Sequence, residues 1–505
     1  MKKFTAILLS ILLVFQLSVV SFASYAPKLS RAEWDELYDS LKDENTLPML
    51  CVGSDQTEIR LVWHADKDNA KPEVKIGKGE AMTDAKTFKG EITEAENEEQ
   101  VVCRVTVTGL EENATYFYQW NTGKKWSEKC EYKTKSFTSH KAMVIGDIQI
   151  GGQTDEATKQ SDDGYTWNNV LAEALKNNPD ISYLVSPGDN TSTGKGAGEW
   201  QTLLMPENAR SIPMALAIGN HDKKGMMYNY YTSMPNEYFG KYFEGLDRDF
   251  WFRYGDVLYL MFDATSASAA DHMAMAKEAV EKNPDAKWRI GVMHQALNGP
   301  AFCAFSAETQ ILLNAVFSPI FDTFDVDLVL TGHSHIQGRS NFMYESMTVG
   351  KAESGKTYTD PLGTVYLNTN AICDQGSFEE YEFLNLPYVA YSFGKNDVTT
   401  YTTLDFSGDT MEIRTMRGDN SELLDSLTIK KTDDDHNDGS IFKKLHRVLY
   451  KVVEFLGWVY LEGDKITVAI RGGHFYLTKT NRRQGGYILP PWFYGIMPSG
   501  KQRLP

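Results

Sequence analysis

The centre of the chain repeats one pattern, in which a short apolar run is followed at once by a cluster of polar residues. The apolar runs span residues 142–145, 181–185, 214–218, 290–293 and 326–330. A short apolar run bounded by turn residues, with helical periodicity beyond it, predicts a buried parallel strand of an α/β sheet. Because sites in such sheets form where the strands end, we expect the five polar clusters to meet in one place.

The polar clusters carry side chains that bind metal ions. They are Gly146-Asp147-Ile148-Gln149, Gly188-Asp189-Asn190, Gly219-Asn220-His221-Asp222, Met293-His294 and Gly332-His333-Ser334-His335. Carboxylates, amide oxygens and imidazoles are ligands of first-row divalent and trivalent metals, and no thiolate is among them. These ligand-type side chains are more than one structural metal ion would bind. They suit two metals that share a bridging carboxylate, the arrangement that assists phosphoryl displacement.

The surrounding segments predict a two-sheet sandwich flanked by helices over residues 139–430. Residues 167–175 and 271–281 have helical periodicity, which crossovers between parallel strands require. Residues 398–406 and 411–416 predict an antiparallel pair of strands joined at a Ser-Gly-Asp turn. Parallel units followed by an antiparallel pair favour two sheets over a single doubly wound sheet.

The segment before this domain predicts a helix and then an all-β domain. Within residues 27–47, Ser30 and Glu33 form a capping box that predicts a short amphipathic helix packed on the next domain. Residues 48–138 change to short alternating segments separated by polar turns, which predict a β-sandwich.

The two ends of the chain have other compositions. Residues 1–26 combine two early lysines, an apolar run and small residues, which predicts a signal peptide cut after Ala23 or after Ala26; the alternative is an uncleaved anchor.

Residues 431–440 form an acidic linker. Residues 441–505 hold 11 Lys/Arg against three Asp/Glu, and 441–456 predict a basic amphipathic helix. Three alternatives are open for this segment: a helix that contacts an anionic membrane surface, a helix that docks on the acidic domain, or a poorly ordered tail.

Composition narrows the possible partners. The 505 residues carry a net charge of −17, which argues against a nucleic-acid partner. The five cysteines show no metal-binding spacing. Three of them, Cys51, Cys103 and Cys130, share the β domain, so one disulfide among them is possible, and the odd total leaves at least one thiol unpaired within the chain.

The order of the five clusters resembles the calcineurin-like metallophosphoesterases, whose motifs run D-x-H, G-D, G-N-H-[DE], H and G-H-x-H. The upstream β domain and Arg339-Ser340 resemble more closely a bacterial purple acid phosphatase. Residues 109–118 are similar to the tyrosine-containing turn of fibronectin type III domains, so the resemblance implies such a module before the catalytic domain.

The resemblance implies a ligand set and catalytic roles. One metal is expected on Asp147, Gln149, Asp189 and His335, and the other on Asp189, Asn220, His294 and His333. A metal-bound hydroxide would attack phosphorus in line with the leaving alkoxide. His221 would bind phosphate or protonate the leaving group, and Asp222 would orient its imidazole.

Two departures from the family pattern affect the expected metals. Gln149 replaces the usual His and is a weaker, harder donor than imidazole. Ser192 stands where purple acid phosphatases have the metal-binding Tyr, so we expect no visible tyrosinate–iron absorption. The resident ions are expected to be Fe, Zn or Mn, with the first site weakened.

We therefore expect an exported dinuclear phosphoesterase, secreted or held at the cell surface, that hydrolyses small-molecule phosphomonoesters. One alternative is a phosphodiesterase acting on nucleotides or lipid head groups. Another is a surface binding protein that has lost its chemistry, an idea to which Gln149 gives some support.

Overall fold

The computed structural model describes residues 25–152, 157–225, 227–240, 248–299, 307–373, 386–393, 398–432, 458–462, 465–470 and 475–476. Residues 441–456, the predicted amphipathic helix, and Cys303 lie outside these ranges. Within them, no helix has the length and apolar character of a membrane span.

A helix and eight strands make up the N-terminal part. The elements are α1 (Arg31–Leu41), β1 (Met49–Val52), β2 (Ile59–Asp66), β3 (Glu73–Lys78), β4 (Lys86–Lys89), β5 (Glu91–Glu94), β6 (Gln100–Val107), β7 (Thr115–Trp120) and β8 (Cys130–Lys133). The strands form two facing sheets around Trp63, Tyr118 and Val105, as the alternating pattern predicts. The Tyr116 hydroxyl accepts a hydrogen bond from the backbone N–H of Glu111 at 2.9 Å, which closes the predicted turn.

Helix α1 begins with the predicted capping box of Ser30 and Glu33. It contacts the larger domain, because the indole N–H of the buried Trp34 donates to the carbonyl of Ser161 at 2.8 Å.

The larger domain contains the helices and strands of residues 139–430. They are β9 (Ser139–Val144), α2 (Lys159–Asn177), β10 (Ile181–Ser186), α3 (Ala197–Leu204), β11 (Met214–Leu216), α4 (Met227–Tyr231), β12 (Tyr238–Phe239), β13 (Arg248–Tyr254), β14 (Val257–Phe262), β15 (Ser266–Ser268), α5 (Ala269–Lys282), β16 (Trp288–Met293), α6 (Ala307–Thr323), β17 (Leu328–Thr331), β18 (Gln337–Ser340), β19 (Phe342–Tyr344), β20 (Met347–Gly350), β21 (Lys356–Thr359), β22 (Val365–Asn368), β23 (Val389–Phe393), β24 (Thr400–Ser407), β25 (Thr410–Arg417) and β26 (Leu423–Lys430).

Two large sheets pack face to face in this domain, which confirms the predicted sandwich. Among the described strands, one sheet has the order β21-β26-β25-β24-β9-β10-β11-β1-β2-β6-β5 and the other β12-β13-β14-β16-β17-β22-β18-β23. The ring of Tyr183 on β10 lies 5.7 Å from that of Tyr259 on β14, in the layer between the sheets. The neighbouring Leu258 and Leu260 point the other way, into the cluster that contains Phe317 of α6. Strand alternation thus separates the inter-sheet layer from the layer under the helices.

The first sheet continues into the N-terminal part. Strand β1 pairs in parallel with β11, with Cys51 opposite Met214, so the β domain and the larger domain share one sheet. The sequence pattern did not predict this continuity.

A buried ion pair joins the two sheets. Arg339 on β18 donates to both oxygens of Asp425 on β26, at 2.6 and 3.0 Å, and to the carbonyl of Ala352 at 2.8 Å. Both charged side chains are almost completely buried. Arg339, which contributed to the family resemblance, therefore contacts protein rather than solvent.

Three strands of the C-terminal region are described. They are β27 (Trp458–Glu462), β28 (Lys465–Ile470) and β29 (Phe475–Tyr476), and β27 pairs antiparallel with β15. Cys51, Cys103 and Cys130 are free thiols, so the possible disulfide in the β domain is not formed.

Candidate metal centre

The five polar clusters come together from both sheets. Those ending in Gln149, Asn190 and Asp222 follow β9, β10 and β11 of the first sheet, whereas His294 and the His333 cluster follow β16 and β17 of the second. All these strands are parallel to their neighbours within this group, so their carboxyl ends point to one edge of the sandwich. The five polar clusters therefore meet at one edge of the sandwich, as expected from the sequence.

Five of the predicted metal-binding residues have strained backbones. The φ angles are +49° at Asp147, +47° at Gln149, +51° at Asp189, +71° at His333 and +56° at His335. Non-glycine residues rarely adopt this left-handed region, and each instance costs on the order of 1–3 kcal/mol unless neighbouring structure enforces it. Such strain concentrates at functional sites, which makes the cluster a candidate site on geometry alone.

Glycines leave room for the two buried carboxylates. A Cβ on Gly219 would lie 2.0 Å from Oδ1 of Asp189, and one on Gly332 would lie 2.4 Å from Oδ2 of Asp147. Any side chain at these positions would therefore displace a predicted ligand. The close approach explains why both motifs need Gly before their polar residues.

Three predicted ligands of the second metal converge on one nitrogen of the fourth, His294. Nε2 of His294 lies 3.0 Å from Oδ2 of Asp189, 3.1 Å from Oδ1 of Asn220 and 3.1 Å from Nδ1 of His333. One imidazole nitrogen carries at most one proton, so it cannot donate to all three atoms at once. A cation among these atoms would satisfy all of them.

The predicted ligands of the first metal lie beside this group. Nε2 of His335 is 3.5 Å from Oδ1 of Asp147, and Nε2 of Gln149 is 3.3 Å from Oδ2 of Asp189. Both oxygens of Asp147 also accept the backbone N–H of His333 at 3.0 Å. All seven predicted ligands thus lie in one connected group, with Asp189 in contact with members of both sets.

The donor atoms fit metal binding. Oε1 of Gln149 is buried without a hydrogen-bond partner among the described residues, and leaving such an atom unsatisfied is costly. Burial opposes charge on His294, but Asp189 and Asp147 outweigh it and raise the pKa of His294 to about 9. Burial lowers the pKa of His333, and the charge on His294 lowers it further. The carboxylates therefore attract a positive charge to the place where the imidazoles meet.

His221 lies next to this group without belonging to it. Its Nδ1 is 2.5 Å from the carbonyl oxygen of Ser192, and because a carbonyl can only accept, Nδ1 carries the proton. Its backbone N–H donates to Oδ1 of Asp189 at 2.7 Å. Burial lowers the pKa of His221, while Asp189 raises it.

Asp222 makes no hydrogen bond to His221 in the described part of the chain, contrary to the role expected from the resemblance. Its buried carboxylate accepts the backbone N–H groups of Asn190, Thr191 and Gly219, each at 3.0 Å, and the side-chain amide of Asn190. Burial raises the pKa of Asp222 to about 7, and Asp189 adds to this shift. Asp222 therefore ties together the loops after β10 and β11.

Two residues that hold the loops were missed. Asp163 of α2 accepts the backbone N–H groups of Gly151 and Gly152 at 2.8 and 2.7 Å, and no local motif indicated it. Asn368 donates to Oγ of Ser334 and to the carbonyl of Ile336, both at 2.6 Å. Since Asn368 ends the apolar run of β22, the rule that found the other clusters could have found it as well.

Comparisons with known proteins agree with this geometry. Residues 140–337 match the family model described as Calcineurin-like phosphoesterase. The chain therefore contains a calcineurin-like phosphoesterase domain. Residues 48–134 match the model described as Purple acid Phosphatase, N-terminal domain. These matches confirm the predicted metal-dependent phosphoric ester hydrolase, and the family implies a binuclear metal centre.

One of the solved structures that match the chain shares its fold. Purple acid phosphatase PPD1 from yellow lupin (Lupinus luteus) seeds is 14% identical, with 78% of this chain and 77% of that chain covered and a TM-score of 0.61. The Plasmodium protein GAP50, described as the anchor in the inner membrane complex, is 15% identical, with coverages of 63% and 96% and a TM-score of 0.40. The curated proteins contain no significant match.

Proposed function

We propose that this phosphoesterase is an exported phosphomonoesterase with two metal ions. One ion would be held by Asp147, Gln149, Asp189 and His335, and the other by Asp189, Asn220, His294 and His333. The observation that carries the proposal is the convergence of three ligand-type atoms on Nε2 of His294 within hydrogen-bond distance. Bound metals would offset the charge of the phosphoryl oxygens and lower the pKa of water.

The residues around this centre have distinct tasks in the proposed reaction. With Nδ1 of His221 donating to the Ser192 carbonyl, Nε2 is the nitrogen left for the substrate. In the imidazolium form, which carries a second proton on Nε2, it would donate a hydrogen bond to the phosphoryl group or transfer that proton to the leaving alkoxide. Asp222 and Asn190 keep Asp189 and Asn220 in register, since their hydrogen bonds connect the two loops that carry these ligands. Asp163 does the same for the loop that carries Gln149.

Export is part of the proposal, and contacts near the N-terminal end bear on where the signal peptide would be cut. Residue Ala26 exchanges two hydrogen bonds with the side chain of Asn208, both at 2.9 Å. Leu29 makes the same pair of contacts with Asn169, at 2.9 and 3.1 Å. A cut after Ala26 would remove the first of these contacts, so we favour cleavage after Ala23. Contact of residues 441–456 with a membrane surface stays a prediction.

Metal analysis combined with an ester assay tests the proposal. Protein purified without chelators should contain about two equivalents of metal and hydrolyse an aryl phosphate monoester faster than the matching diester. His221→Ala should keep its metal content but lose about 10²–10⁴-fold in kcat. Lys86→Met, a change on an exposed strand of the β domain, is the matched control.

Three other outcomes would contradict parts of this proposal. Preference for the diester would make the protein a phosphodiesterase. Absence of hydrolysis with any added Mn, Zn or Fe would support a binding protein. Full activity of His221→Ala would refute the role of the imidazole.

A further inference from the structure

Two loops beside the metal centre pack directly on each other. One carries Ser192 to Lys195, and the other carries His221 to Gly225. A Cβ on Gly194 would lie 2.4 Å from the carbonyl oxygen of Asp222, and one on Gly225 would lie 2.0 Å from the carbonyl oxygen of Gly194. The backbones therefore touch, and side chains at the outer ends of both loops share one stretch of surface.

A buried carboxylate fixes the first loop. Glu199 of α3 is only 2% exposed, and its Oε2 accepts the backbone N–H of Thr193 at 3.0 Å. This contact holds the segment whose Ser192 carbonyl binds His221. The hydrogen bond to Glu199 therefore helps to hold the first loop in place beside the second.

Two lysines lie on this surface next to His221. Lys195 and Lys224 are both exposed. Nζ of Lys224 lies 3.0 Å from Nδ1 of His221, and neither lysine forms an ion pair with any residue that the structure describes. Burial lowers the pKa of Lys224, Asp189 raises it, and the charge of Lys195 lowers it.

The contact between Lys224 and His221 is not a satisfied hydrogen bond. Nδ1 of His221 already donates its proton to the Ser192 carbonyl, so the ammonium of Lys224 faces a second donor. An anion at this point would accept hydrogen bonds from the ammonium group. In a chain with a net charge of −17, a pair of cations at the site would also attract anionic substrates toward it.

We propose that Lys195 and Lys224 form an anion subsite that binds a second phosphate group on the leaving-group side of the substrate. The substrates would then be phosphomonoesters whose alcohol carries another phosphate. This inference rests on the proposed function, because it assumes that the phosphoryl group to be cleaved lies at the adjacent metal centre.

A pair of matched substrates tests the subsite. Propyl phosphate and 1,3-propanediol bisphosphate offer the same primary alkyl ester and differ in the second phosphate. For the metal-loaded protein, kcat/KM should be higher for the bisphosphate, and this preference should weaken as salt is raised. In Lys195→Met and Lys224→Met, the ratio of the two kcat/KM values should fall roughly tenfold for each lysine removed. Lys195→Arg and Lys224→Arg should restore most of the ratio.

The control variants distinguish a failure of the anion subsite from a failure of the proposed phosphomonoesterase function. Lys195→Met is the cleaner variant, because Lys224 contacts His221 and its loss also changes the imidazole. Lys86→Met should leave the ratio unchanged. If the wild-type protein prefers propyl phosphate, or if Lys195→Met lowers both kcat/KM values equally, the subsite is refuted. If the wild-type protein hydrolyses neither ester, the proposed function fails instead.

Discussion

Replacing Asp222 tests whether this residue holds the site loops or acts on His221. The carboxylate accepts three backbone N–H groups and one side-chain N–H, all at about 3.0 Å. In Asp222→Ala these four buried donors lose their acceptor. At about 1–3 kcal/mol for each unsatisfied group, the loss is at least about 4 kcal/mol, a large part of a total stability of about 5–15 kcal/mol.

Asp222→Asn is the more informative variant because it keeps the shape of the side chain. One of its two oxygens becomes an NH₂ group that faces donors, so we expect a loss of about 2 kcal/mol or more. The loops that carry Asp189 and Asn220 would also lose their connection, so metal affinity should fall together with stability.

Urea unfolding and metal titration provide the assay. Asp222→Asn should unfold at lower urea concentration than the parent and bind metal more weakly. Asp43→Asn, a change at an exposed position after α1, is the control and should behave like the parent. If Asp222→Asn matched the parent in stability and metal binding yet had a shifted pH–rate profile, the carboxylate would act on His221 and the positioning role would be refuted.

Three further predictions follow from the same structure. Arg339→Met and Asp425→Leu should each lower the free energy of unfolding, measured with urea, by about 3–5 kcal/mol, because each change leaves a buried charge unpaired. The double variant should recover most of this loss. Gln149→His should raise zinc affinity in a competition titration; equal affinity would exclude Gln149 as a ligand. The pKa of His294 is raised from 6.5 to about 9 in metal-free protein. The stability that its charge contributes should therefore be complete below pH 6.5 and lost as the pH rises through 9, and added metal should flatten this dependence.

Hydrophobic patterns in the sequence predicted the strands that precede the five polar clusters and the antiparallel pair of strands after them. Periodicity separated parallel from antiparallel regions, and polar residues at strand ends identified all seven proposed ligands. These signals are local: each needs only a few neighbouring positions. The family motifs then grouped the ligands into two sets, and the structure brings both sets together.

The sequence did not predict what depends on distant pairing. The parallel contact of Cys51 with Met214 joins segments about 160 positions apart and makes the two domains share a sheet. The bonds of Asp222 to the loop after β10 also depend on strand order. In Asn-His-Asp, the adjacency of Asp222 to His221 indicated a contact between them, but successive residues in a tight turn point in different directions.

The strained residues explain how the site keeps its geometry. The backbone N–H of Asp147 donates to Gly188, that of Gln149 donates to Asp189, and that of Gly332 donates to His294. Each loop is thus hydrogen-bonded to the loop of the neighbouring strand, in continuation of the sheet. These bonds, with the bonds to Asp222 and Asp163, hold the left-handed residues in place although each costs on the order of 1–3 kcal/mol. Because backbone contacts set the positions of the ligands, metal binding requires little rearrangement, and loss of a positioning residue should weaken binding even where every ligand remains.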